Sequence, residues 1–201
     1  MGVLVGRQAP DFSAAAVLGN GEIVDNYNFA EATKGKKAVV FFYPLDFTFV
    51  CPSELIAFDK RLAEFQKRGV EVIGVSIDSQ FSHNAWRNTA VDAGGIGQVG
   101  YTLVADVKHD ICQAYDVEHP EAGVAFRASF LIDEDGLVRH QVVNDLPLGR
   151  NIDEMLRMVD ALNFHQEHGE VCPAGWEEGK KGIDASPEGV AAYLSENAEG
   201  L

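Results

Sequence analysis

The feature that most constrains this chain is a short run, Ala38-Val39-Val40-Phe41-Phe42-Tyr43, that is almost wholly apolar. A strand of this composition has no face to give to water, so it reads as buried on both sides within a sheet. Val70 to Ile77 reads as a second buried strand and Tyr101 to Ala105 as a third. Between the first two, Leu55, Phe58, Leu62 and Phe65 recur at three- and four-residue steps, which predicts an amphipathic helix from Cys51 to near Gly69. Further helices are expected over 81–92 and 109–115.

Other segments read as hairpins. Residues 11–24 turn at Gly19-Asn20-Gly21, and Ala125–Ile132 pairs with Leu137–Val143 through Glu134-Asp135-Gly136. A helix over 151–166 carries Ile152, Met155, Leu156, Val159 and Leu162, and Ser186-Pro187 opens a last short one. Right-handed crossovers make the first buried strands parallel, and the later hairpin adds an antiparallel edge. The expected architecture is α/β: a mixed central sheet flanked by helices, suited to a thioredoxin-like fold, with an extended C-terminal arm. A core domain over 1–170 and an arm over 171–201 are the expected divisions.

The chain has 201 residues, enough for one core without staples. Its net charge of −15 repels phosphate backbones and anionic lipid, which argues against nucleic-acid and membrane partners. No apolar run is long enough to cross a bilayer and no secretory signal pattern is present, so a cytoplasmic location with reduced thiols is expected. Three cysteines, Cys51, Cys112 and Cys172, are an odd number and make a poor disulfide framework. In a reducing setting, a cysteine with unusual surroundings points to catalysis or metal binding.

Cys51 has such surroundings. In Phe41-Phe42-Tyr43-Pro44-Leu45-Asp46-Phe47-Thr48-Phe49-Val50-Cys51-Pro52-Ser53-Glu54-Leu55 a strand ends, a loop follows and a helix starts near the cysteine. Pro52 suits a first turn. The charge of about +0.5 at a helix N-terminus favours a thiolate, the nucleophilic form. Taken by itself, Cys51 reads equally well as a small core residue. Thr48 reads as a cap or as a hydrogen-bond donor to a thiolate and a bound oxygen, and Glu54 as a capping partner reaching back to the first turn. Position 54 is not Cys, so there is no local dithiol. A second thiol must come from far along the chain or from another chain.

The pattern Pro44-x-x-x-Thr48-x-x-Cys51 matches the signature of the peroxiredoxins, and its surroundings resemble the typical two-cysteine subfamily. The resemblance continues through Ser82-His83-Asn84-Ala85-Trp86, Gly94-Gly95-Ile96-Gly97, Arg127 with Phe130-Leu131-Ile132-Asp133, and Val143-Asn144-Asp145-Leu146-Pro147. It ends at His168-Gly169-Glu170-Val171-Cys172-Pro173-Ala174-Gly175-Trp176. It implies a thiol peroxidase acting on hydrogen peroxide and organic hydroperoxides. Cys51 would attack, Pro44 would shield it, Thr48 would hydrogen-bond the peroxide and Arg127 would stabilise thiolate and transition state. Cys172 of a partner subunit would resolve the sulfenic acid into an intersubunit disulfide. Because disulfide geometry is narrow, the turn at Cys51 would have to unwind.

The resemblance further implies a homodimer that assembles into a decamer ring, recycled by thioredoxin or a dedicated flavoprotein disulfide reductase, with no cofactor and no metal. A peroxide sensor and a holdase chaperone are the alternative roles. Family members prone to over-oxidation carry Gly-Gly-Leu-Gly and a C-terminal Tyr-Phe pair. Here Gly94-Gly95-Ile96-Gly97 and Tyr193-Leu194 stand instead, which leads us to expect intermediate resistance. Three other patterns are assigned no such role. Gly95-x-Gly97-x-x-Gly100 precedes a strand, the wrong context for a dinucleotide fingerprint. His165, His168 and Cys172 read as a helix end and a resolving thiol, not a metal cluster. Cys112 reads as a core thiol.

Overall fold

The computed structural model describes residues 2–200. Its centre is a seven-stranded sheet with strand order β2-β1-β5-β4-β3-β6-β7. The strands are β1 (Ser13–Val17), β2 (Ile23–Asn28), β3 (Lys37–Phe42), β4 (Val70–Ser76), β5 (Thr102–Ala105), β6 (Arg127–Ile132) and β7 (Val138–Asn144). β3, β4 and β5 are parallel neighbours, as crossovers demand. β6 and β7 add the expected antiparallel edge.

The first hairpin also joins the sheet: β1 pairs antiparallel with β5, so both edges are antiparallel. All six residues of β3 are buried, in keeping with the apolar run. Phe41 and Phe42 point to opposite faces. Phe41 stacks on Phe58 of helix α2 with centroids 4.1 Å apart, while Phe42 meets Tyr115 and Phe130. Gly74 of β4 makes room for this layer, since a Cβ there would lie 2.8 Å from the Phe41 ring.

The helices are α1 (Phe29–Ala32), α2 (Cys51–Lys60), α3 (Leu62–Lys67), α4 (Gln80–Arg87), α5 (Asp110–Ala114), α6 (Ile152–His168) and α7 (Pro187–Asn197). The single helix expected after Cys51 is divided at Arg61, whose φ of −107° and ψ of 2° leave helical geometry. Its N–H bonds to Phe58, three residues back, a tightening that ends one helix and starts the next. The helix expected over 81–92 closes at Arg87, followed by a 3₁₀ turn at Val91–Ala93. Gly95-x-Gly97-x-x-Gly100 lies between that turn and β5, so no helix opens on it.

The chain forms two compact units, Met1–Ile152 and Asp153–Leu201. The first holds the whole sheet. In the second, Val171 bridges to Ile183 and Phe164 packs on Trp176, with centroids 4.8 Å apart. Ser186 caps α7 by accepting from the Gly189 N–H. Among the described residues, no helix is long and apolar enough to cross a membrane.

Candidate active site

The loop from β3 to α2 is held by a buried polar network. Asp46 accepts from the Tyr43 hydroxyl at 2.9 Å and the Ser82 hydroxyl at 2.8 Å, and its carboxylate lies 2.9 Å from His83 Nδ1. The Asp46 N–H donates to Asp78 at 2.8 Å. Loop, β4 and α4 are thereby locked together, which fixes where α2 begins. Within the loop Phe47 adopts φ 54°, a costly conformation for an aromatic residue. Pro44 is buried here.

Cys51 is the first residue of α2, with Pro52 behind it. It is fully buried. Val50 occupies the capping position and makes no side-chain cap; Pro52 has no N–H to satisfy, and the Ser53 N–H bonds the Val50 carbonyl at 3.0 Å. Thr48 Oγ lies 3.0 Å from the Cys51 sulfur and 2.8 Å from the Leu45 carbonyl. The hydroxyl has one proton, so it serves the carbonyl or a thiolate, but not both at once.

Arg127 opens β6 and reaches across to the same sulfur, with Nη1 at 3.3 Å. The side chain is buried. Its Nε donates to the Leu146 carbonyl at 2.6 Å, and Nη1 also donates to Glu54 at 2.7 Å. Burial works against the charge, but the Cys51 sulfur and Glu54 outweigh it and hold the guanidinium above its ordinary range.

Glu54 does not cap α2, and this corrects the sequence reading. Its carboxylate, 3% exposed, turns inward onto Arg127 and Arg150. Arg150 gives Glu54 its backbone N–H at 2.8 Å, Nε at 2.8 Å and Nη2 at 2.9 Å. Its remaining donors reach the Phe42 carbonyl at 2.9 Å and Ser129 Oγ at 3.1 Å, and its plane lies over Phe41 and Phe58. Burial raises Glu54, but the Arg150 hydrogen bonds and both guanidinium charges prevail and hold its carboxyl below the ordinary 4.5.

Arg150 was missed from sequence. The available signal was Glu54 itself, a carboxylate beside Leu55 and Phe58 on the stripe facing the core. The structure thus gathers Thr48, Cys51 and Arg127 of the expected site, in the unit that also holds Pro44, and adds Glu54 and Arg150.

Cys172 belongs to the second unit, where its thiol donates to the Ala161 carbonyl at 3.4 Å. Burial pushes this thiol up, only partly offset by Arg157. Cys112 is in the hydrophobic core, its thiol pushed far up by burial, Asp106 and Glu118. In both, burial works against the thiolate, the nucleophilic form.

Comparison with known proteins gives a consistent result. The AhpC/TSA family matches residues 5–141, and the C-terminal domain of 1-Cys peroxiredoxin matches 161–196. Alkyl hydroperoxide reductase C of Buchnera aphidicola is 56% identical over 191 residues, covering 95% of this chain and 96% of that protein. Peroxiredoxin-2 of Macaca fascicularis is 47% identical over 197 residues, with 96% of each covered. The reduced 2-Cys peroxiredoxin of Plasmodium vivax superposes with a TM-score of 0.92 at 46% identity, over 96% of this chain and all of that one.

Proposed function

Because the chain belongs to the AhpC/TSA family of two-cysteine peroxiredoxins, we propose that Cys51 is the nucleophile of its peroxide-reducing activity and Cys172 the thiol that resolves the product. The observation that carries this reading is the charge balance around Cys51. Among the described residues, two guanidinium groups surround one carboxylate, which leaves one buried positive charge without a carboxylate of its own. Buried charge is costly unless paired. A thiolate at Cys51, 3.3 Å from Arg127, closes the cluster to neutrality.

The thiolate attacks the distal oxygen of hydrogen peroxide or an organic hydroperoxide. An S–O bond forms, the O–O bond breaks, and the leaving oxygen departs as water or alcohol after taking a proton. Arg127 faces the charge that moves onto that oxygen, and the Thr48 hydroxyl is placed to hold the incoming peroxide. Pro44 helps to close the pocket against water. Cys51 is left as a sulfenic acid. The first turn of α2 then unwinds, and the Cys172 thiol of the partner subunit displaces the hydroxyl to give a disulfide and water. Burial favours the protonated form of the resting Cys172 thiol, which works against its competing for peroxide.

Residues 171–201 act in this reading as the arm that delivers the resolving thiol. A dithiol reductant, either thioredoxin or a dedicated flavoprotein, returns the disulfide to thiols. The protein is a homo-oligomer whose dimers assemble into a decamer, and it works in a reducing cytoplasm.

One equivalent of peroxide followed by non-reducing electrophoresis tests the assignment. Wild type should run at twice the chain mass, and Cys51→Ser and Cys172→Ser should remain single chains. A covalent dimer in either variant would refute the pairing.

A further inference from the structure

A second cluster combines three side chains of metal-binding type. His109 precedes α5, Cys112 lies one turn on, and Glu118 is in the segment returning past the helix. One ligand atom from each, the imidazole nitrogen, the sulfur and a carboxylate oxygen, lies within 4.8 Å of the others. We propose that His109, Cys112 and Glu118 form a site for a borderline-soft divalent cation, with zinc the best match and water as fourth ligand.

The donor set is the first argument. Nitrogen, sulfur and oxygen together suit zinc, and bond lengths of about 2.0–2.3 Å place tetrahedral ligand atoms about 3.3–3.8 Å apart. The three ligand atoms lie within 4.8 Å of one another, so the side chains must adjust about the ion to reach that spacing. His109 Nδ1 already contacts Glu118 Oε1.

Outer contacts supply the second argument. Gln113 Nε2 donates to Glu118 Oε2 at 2.9 Å, which leaves Oε1 directed at the cluster. Asp106 accepts the N–H groups of Ile111 at 3.0 Å and Cys112 at 2.8 Å and so fixes the turn that carries the sulfur. Glu118 is held by its bridge to Ala125.

Access is the third. Cys112 is buried, its thiol 3.3 Å from the His109 carbonyl, whereas the His109 and Glu118 side chains are 30% and 24% exposed, so the cluster opens to water on one side. A cation would also offset the negative charge that Asp106 and Glu118 place beside the sulfur. It would tie α5 to the segment that leads into β6, whose first residue is Arg127.

Cobalt(II) is the probe. The reduced full chain carrying Cys51→Ser and Cys172→Ser, in which Cys112 is the only thiol, is titrated without oxygen. One equivalent should produce thiolate-to-cobalt charge-transfer absorption in the near ultraviolet with the visible bands of a four-coordinate ion, and one equivalent of zinc should discharge both. Cys112→Ser should abolish the charge-transfer band. Glu118→Gln and His109→Asn should weaken cobalt binding by at least about tenfold. His109→Asn leaves the core thiol in place and suits the left-handed backbone at this position, φ 65°, so it keeps the test decisive if Cys112→Ser fails to fold. Absence of the thiolate band in the parent, or a band indifferent to His109→Asn and Glu118→Gln, overturns the site.

Discussion

Arg127 has two partners, the Cys51 sulfur and the Glu54 carboxylate, and the two roles separate experimentally. Arg127→Gln removes the charge facing the sulfur while Arg150 still pairs Glu54. The expected loss is about 10²–10³-fold in the rate of Cys51 oxidation, the scale for removing one pre-organised donor. Stopped-flow mixing with peroxide checks this, and a rate within a few-fold of wild type would remove Arg127 from the chemistry. Glu54→Gln does the reverse: it leaves two buried guanidinium groups without their carboxylate. Breaking such a pair costs about 3–5 kcal/mol, to be read from urea unfolding. The residues around Cys51 were legible because their relations are local, with Thr48 three positions before it and Pro52 one after. Glu54 was misread because a carboxylate in a first turn has a familiar local use. Its actual partner, Arg150, is 96 residues away.

At the scale of elements, the proposed cycle makes two demands of α2: it presents Cys51 at its start and releases that start for disulfide formation. The Glu54 clamp pins the helix one turn in, and marks where unwinding should stop. That clamp also sets a pH dependence. The Glu54 carboxyl is held below its ordinary 4.5 in the folded protein, so its contribution to stability is fully present above that value and is lost as pH falls through the lower folded value. Unfolding free energy should therefore drop below pH 4.5 in wild type, and this part of the drop should vanish in Glu54→Gln. Equal acid sensitivity in the two proteins would argue against it.

The loop at Gly94-Gly95 is similarly constrained. The Trp86 indole donates to the Gly94 carbonyl at 2.9 Å, and a Cβ at Gly95 would strike the Thr89 backbone. With Leu194 beside Tyr193 in the tail, Cys51 should over-oxidise at peroxide levels between those of sensitive and robust relatives, as measured by mass spectrometry of the sulfinic form. Strand identity and order along the chain were readable from apolar runs. The docking of β1 onto β5 was not, because edge pairing depends on long-range register, not on the composition of either strand.

At the scale of the whole molecule, Phe49 is 97% exposed, and Phe47 and Phe81 are exposed as well. Large apolar side chains displayed on the loop and helix that frame the site suit contact between subunits. Phe49→Asp should shift sedimentation velocity profiles toward smaller species, whereas an unchanged distribution would place the contact elsewhere. The central claim concerns which sulfur meets peroxide first. Reduced protein is exposed to one equivalent of peroxide, and its remaining thiols are mapped by differential alkylation. The account predicts loss of Cys51 and Cys172 with Cys112 intact in wild type, and loss of Cys51 alone in Cys172→Ser. Oxidation of Cys112 or Cys172 while Cys51 stays reduced would contradict it.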